Sequence, residues 1–136
     1  MIRPIVRDIM FLSLRSEEAT QADLPIGQDL MDTLAAHREA CVGMAANMIG
    51  VRKRVIVVQV GFLPLVMFNP VIVQKSSPFE TEEGCLSLDG VRKTTRYQQI
   101  EVEYRDMRWK KHCDKYSGWT AQIIQHEVDH CDGIII

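Results

Sequence analysis

The stretch QHEVDH, Gln125 to His130, constrains the fold more than any other part of the chain, because only CDGIII follows it. A His-Glu-x-x-His stretch on a helix projects its two imidazoles from one face, one turn apart, where they can share a metal ion. Two histidines do not complete such a site. With so few residues after them here, an upstream ligand is the expectation, and it would carry a distant segment back onto this helix. Solvated helix faces also hold histidine and glutamate side by side, and on this motif alone that plainer reading stays open.

The helix itself is well marked. WTAQIIQHEVDHC (119–131) contains no breaker, and Ser117 is placed to cap its start. Glu127, beside the first imidazole, is positioned to take a proton from water at an ion rather than to bind the ion. A divalent ion lowers the pKa of water towards about 7, which makes such proton traffic useful near neutrality. Cys131 is next to His130, so it points about 100° around the helix and reads as a core residue. Asp132 is a weak ligand candidate for the same directional reason. A zincin protease with its third ligand downstream of the second histidine is therefore a poor fit.

A second stretch supplies a better candidate. In EEGCLSLDG (82–90), Cys85 follows a glycine that permits close backbone approach, in a polar, turn-like setting. A thiolate from Cys85 with His126 and His130 would leave one position open, the arrangement of a catalytic rather than a structural site. The alternative is a buried free thiol.

Around these motifs the chain reads as one α+β domain over residues 1–136, without repeats, low-complexity tracts or linkers. Residues 25–41 are expected to be helical, starting at Pro25. RVIVVQV (54–60) and LVMFNPVIVQK (65–75) read as buried strands interrupted at Gly61, Pro64 and Pro70. QIEVEYRD (99–106) alternates, with Ile100, Val102 and Tyr104 on one face. MRWKKHCDKYSG (107–118) reads as a turn-rich connection. The methionines, among them Met10, Met31, Met44 and Met67, are expected to fill the core.

A net charge of −2, with 25% charged residues, argues against direct nucleic-acid binding. Neither a signal-peptide h-region nor a transmembrane stretch is found, so a cytoplasmic monomer is the expectation, with the four cysteines as free thiols or ligands.

Three stretches in order now carry a resemblance. CVGMAANM (41–48), EGCLS (83–87) and QHEVDH (125–130), with FNP (68–70) before the second and DG after the third, resemble the peptide deformylase family. The resemblance covers most of the chain. It implies an α+β fold of small mixed or antiparallel sheets packed around a central helix carrying the HExxH motif. The implied reaction is hydrolytic removal of the formyl group from N-terminal formyl-methionine of nascent chains near the ribosome. Carried over by position, Cys85, His126 and His130 hold one divalent ion, Fe2+ by resemblance, with Zn2+, Ni2+ or cobalt as substitutes. Glu127 handles the proton, and the Leu86 backbone N–H donates to the oxyanion. Gly43, Met44 and Gly84 contact the extended peptide, in a strand-addition mode. Glu83 is expected to pair with an arginine, Arg96 or Arg92, and so brace the cysteine stretch, although surface salt bridging is the plainer role for those arginines.

The chain also departs from the family. Cys41 replaces the first glycine of the first stretch, where a side chain either crowds the substrate groove or is tolerated. Met48 stands where the family has a glutamine that donates to the oxyanion, and methionine has no donor. Asn47 cannot stand in, because adjacent side chains diverge. A weakened catalyst, or a protein that binds metal and peptide N-termini without useful turnover, are the two readings this leaves. Asp89 replaces a usual proline, the longer C-terminal tail of many members is not present in this sequence, and GIII is expected to form a short strand.

Overall fold

The computed structural model describes residues 1–85 and 87–134, with the backbone alone at 88 and 89. An N-terminal segment with a single turn of helix, α1 (Ile9–Leu12), leads to helix α2 (Leu24–Ala36). Pro25 sits in the first turn of α2, and Leu30 and Leu34 are buried on one face. The helix stops earlier than expected, at Ala36. His37 N bonds back to Leu34 O in a tightened last turn, and Arg38, Glu39 and Ala40 are exposed, with no apolar stripe to continue.

The strands β1 (Gly43–Ala45), β2 (Val55–Val60), β3 (Leu63–Cys85), β4 (Leu88–Arg105) and β5 (Lys111–Ser117) form one antiparallel meander in chain order. The expected α+β class is thus the one found, with the strands joined in a single continuous ladder. Pro70 does not end a strand. Having no N–H to donate, it falls in a bulge, where the register shifts between Phe68 and Val71. Asn69 takes a positive φ of 52° there, and its side-chain amide bonds to Ala19 N and Ala19 O at 2.7 and 2.9 Å, tying the N-terminal segment to the bulge. Ile100, Val102 and Tyr104 are buried, as their alternation implies.

Two expectations fail here. Lys111–Ser117 is a strand, paired with β4 from Arg105/Lys111 to Gln99/Ser117. Its residues alternate between exposed and half-buried, so an edge strand of lysines, His112 and Tyr116 has no apolar signature to read. Met10 is exposed on α1 rather than in the core, while Met44 and Met67 are fully buried and Met31 partly so.

Helix α3 (Gly118–Cys131) packs Ile124, Val128 and Cys131 against the sheet. Ser117 occupies its N-cap position but makes no side-chain capping bond. Its far end is locked: Asn47 Nδ2 donates to His130 O at 2.9 Å, and Ser16 N to Cys131 O at 2.8 Å. Gly133 has φ +75°, and a Cβ there would collide with Ser13 O, so only glycine permits this packing. Ile134 follows in no regular element, and the remainder of the expected C-terminal strand lies outside the described residues. Among the described residues no helix is long and apolar enough to cross a membrane.

Candidate metal centre

The long β3–β4 hairpin is the device that brings the upstream segment to α3. Cys85 is the last residue of β3, at a register shift between Gly84 and Cys85 where the chain turns into β4. It is therefore a strand-end residue and not part of a free loop. Cys85 Sγ lies 3.3 Å from His130 Nε2, which lies 3.2 Å from His126 Nε2. These three atoms lie within 4.8 Å of one another and could hold one ion. Ligand bonds of about 2.0–2.3 Å in a tetrahedral arrangement place such atoms about 3.3–3.6 Å apart, so the donor set fits a single ion. All four cysteines are unpaired with one another, and Cys131 is buried in the core as expected.

A buried polar network orients the site. His126 Nδ1 donates to Glu83 Oε1 at 2.8 Å, which leaves Nε2 directed at the other two ligand atoms. Arg96 grips both oxygens of Glu83 at 2.7–3.1 Å and reaches Asp129 Oδ2 at 2.6 Å. Gln122 Nε2 also donates to Glu83, at 2.9 Å. Arg96 is only 4% exposed, so the surface reading of this arginine is wrong. The β4 strand turns it inward beneath α3, where it neutralises two carboxylates. The expected pairing with Glu83 is present; the Asp129 contact has no sequence signature.

These contacts set the protonation states. Burial works against the Glu83 carboxylate charge, but its hydrogen bonds from His126, Arg96 and Gln122 prevail and hold it down at about 2. Burial likewise opposes a proton on His126, yet its bonds to Cys85 and Glu83 raise the ring to about 10. An ion held by these three atoms would take the place of that proton. Burial, then His126 and Arg96, push His130 down to about 3, so this ring is in its neutral, ligating form. Glu127 is deeply buried and burial pushes it up to about 7, although His126 pulls the other way. Its Oε1 has no hydrogen-bond partner among the described residues, so the carboxylate is available to a proton donor that enters the site.

A groove of about 680 Å³ opens beside these residues, bordered by Cys41, Gly43, Met48, Gly84, His126 and Glu127. Gly43 comes so close to α3 that a Cβ would lie 2.7 Å from Ile123 Cγ2 and 2.9 Å from Glu127 Oε2. Met44, by contrast, turns its side chain fully into the core and does not line the groove. Met48 borders the groove with its side chain 1% exposed, and its Sδ accepts from Ala45 N at 3.4 Å. Asn47 points elsewhere, its amide bonded to the end of α3. Leu86 lies outside the described residues. In the sequence Gln125 is a motif residue with no assigned role. Its amide bridges Tyr97 N and Tyr97 O at 2.8 Å each, pinning α3 to β4. Trp119 and Gln122 also line the groove and carried no signal beyond their place on the helix.

Three candidate ligand atoms meeting at an HExxH helix, with a buried carboxylate alongside, make the kind of site that metal-dependent hydrolases use. Comparison with known proteins narrows that class. The family model for polypeptide deformylase matches residues 10–136. A peptide deformylase of Clostridium beijerinckii is 59% identical over 136 residues, the whole of both chains. One of Pelotomaculum thermopropionicum is 46% identical over 109 residues, covering 78% of this chain and 70% of that one. Among solved structures, a peptide deformylase from Legionella pneumophila superposes with TM-score 0.89 at 30% identity, over 99% of this chain and 83% of that one. The Met-Ala-Ser-bound class I type b enzyme from Acinetobacter baumannii gives 0.89 at 26% identity, over 99% and 97%. The chain belongs to the polypeptide deformylase family.

Proposed function

We propose that this chain removes the N-formyl group from formyl-methionyl peptides of newly made proteins, as a single-domain peptide deformylase. The observation that carries this reading is the meeting of Cys85 Sγ, His126 Nε2 and His130 Nε2 beside the Glu127 carboxylate, whose Oε1 has no hydrogen-bond partner among the described residues, at a groove. Cys85, His126 and His130 hold the ion. By resemblance it is ferrous iron, with zinc, nickel or cobalt as substitutes, since a thiolate with two imidazoles suits several of these. When bound, the ion supplies Lewis acidity that polarises the formyl carbonyl and makes water acidic.

This chain's own residues do the rest. Glu127 takes a proton from the attacking water and delivers it to the amide nitrogen as the C–N bond breaks. One water is consumed, and formate and a free methionyl amine leave. Glu83, held by Arg96, keeps His126 in the tautomer that presents Nε2. The Leu86 N–H is the proposed backbone donor to the oxyanion. Gly43 and Gly84 border the groove where an extended peptide can pair. The proposed site of action is nascent chains near the ribosome in the cytoplasm, where N-terminal formyl-methionine is produced, with the chain acting as a monomer by default.

One observation favours a second reading. Met48 offers no donor at the groove, so a protein that binds metal and peptide N-termini without useful turnover is the alternative. Formate release from formyl-Met-Ala-Ser decides between them, on protein purified anaerobically, loaded with ferrous iron and assayed for metal. Turnover with one ion per chain supports the deformylase. One bound ion with no formate supports the binding-only protein.

A further inference from the structure

The free edge of β1 carries an acceptor that is already occupied. Gln59 N donates to Val42 O at 2.8 Å, and the register opposes Gly43 to Val58. Residues of an antiparallel ladder alternate between hydrogen-bonded and non-hydrogen-bonded pairs. Val42 belongs to the first kind, so Gly43 belongs to the second, and its N–H and C=O point away from β2. Because β1 is the outermost strand on this side of the sheet, nothing in the ladder pairs with those groups. Gly43 and Cys41 both border the groove. Yet the Gly43 carbonyl is not bare: the Cys41 thiol donates to it at 2.7 Å.

Cys41 itself lines the same groove and is partly buried. Burial, then the nearby Glu127 carboxylate, push its thiol up to about 12, so it keeps its proton and remains a donor at neutral pH. The carbonyl it caps is one of only two main-chain groups that Gly43 offers to an incoming strand.

We propose that Cys41 sets the affinity of the groove for extended peptide, by holding the Gly43 carbonyl that a peptide N–H must reach. Productive binding then requires the thiol to turn away and surrender the acceptor. Part of each binding event goes to replacing an internal hydrogen bond, and only the difference appears as affinity. This inference rests on the strand-addition reading of the groove, and the test keeps the two apart. Alanine at position 41 has no donor, so it leaves the carbonyl open. Serine keeps a donor of similar reach and a stronger one.

The experiment compares wild type, Cys41→Ala and Cys41→Ser, each loaded with zinc. Formate release from formyl-Met-Ala-Ser gives KM and kcat, and calorimetric binding of Met-Ala-Ser gives an affinity that does not depend on turnover. Cys41→Ala is expected to lower KM and tighten Met-Ala-Ser by about threefold or more, as a weak thiol donor implies, with the change in KM rather than kcat. Cys41→Ser is expected to match wild type or bind more weakly. Equal affinities for wild type and Cys41→Ala overturn the role of Cys41 while leaving the groove as the peptide site. Failure of all three proteins to bind the peptide overturns the strand-addition reading, and the role of Cys41 with it.

Discussion

Met48→Gln tests the chemistry of the groove directly. The two side chains have similar length, so glutamine is expected to follow the path of Met48, whose side chain is 1% exposed and borders the groove. Met48 Sδ now accepts from Ala45 N at 3.4 Å. A glutamine Oε1 is a better acceptor for the same N–H, and with that bond made Nε2 is expected to face the groove. One added oxyanion donor is worth about 10²–10³ in kcat, or about 2.7–4 kcal/mol. The new amide is not held by a second partner, so the lower end, about 10²-fold, is expected. A donor that acts in the transition state moves kcat with little change in KM. Before substrate enters, the amide donor faces the groove without a protein partner, which costs up to about 1 kcal/mol of stability and a few degrees in Tm. Steady-state formate release and thermal melts on equally metallated wild type and variant check both effects. A kcat within about threefold of wild type at full metal content would refute the reasoning, because it would mean that Met48 is not the missing donor.

The remaining predictions concern the network and the packing that hold the site. Arg96→Met leaves Glu83 and Asp129 buried without their cation, and is expected to destabilise the fold by about 3–5 kcal/mol in chemical denaturation. Glu83→Gln removes the carboxylate that orients His126, and is expected to weaken metal binding by about 10–100-fold in a competition titration against a chelator. On acidification, Glu83 has a folded value of about 2 against an ordinary 4.5. Its contribution is therefore fully present above about 4.5 and is lost as pH falls towards about 2. Denaturation curves from pH 5 to pH 2.5 should show a steeper loss in wild type than in Glu83→Gln, and equal slopes would count against the assignment. Gly133→Ala is expected to lower stability by at least about 2 kcal/mol, from a left-handed backbone and a clash with Ser13 O, read as a fall in Tm.

What could be read from the sequence followed spacing. His126 and His130, four residues apart on a breaker-free helix, had to share a face, and Cys85 follows a glycine in a polar, turn-like stretch. Residues whose role depends on register were less visible. Arg96 looks like any surface arginine until the pairing of Phe79 with Arg96 fixes how β4 faces α3. Gln125 is one polar letter in a motif, and its double bond to Tyr97 exists only because α3 lies along β4. The strand at Lys111–Ser117 is made by its partner, not by its own composition. Met10 failed the core assignment because four residues of helix at an exposed edge have no second face to bury.

The bonds that grip Glu83 run between protein groups from three elements: Arg96 on β4, and Gln122 and His126 on α3, all meeting a carboxylate on β3. A network that orients His126 through protein groups alone predicts a chain that folds before it takes up an ion, unlike small zinc modules in which binding and folding are one event. Metal binding here becomes an exchange at a prepared position, which adds stability only in proportion to free ion concentration over its dissociation constant. Ions of similar size should therefore replace one another in a chain that stays folded throughout, and the identity of the ion becomes a matter of supply and oxidation state as much as of structure.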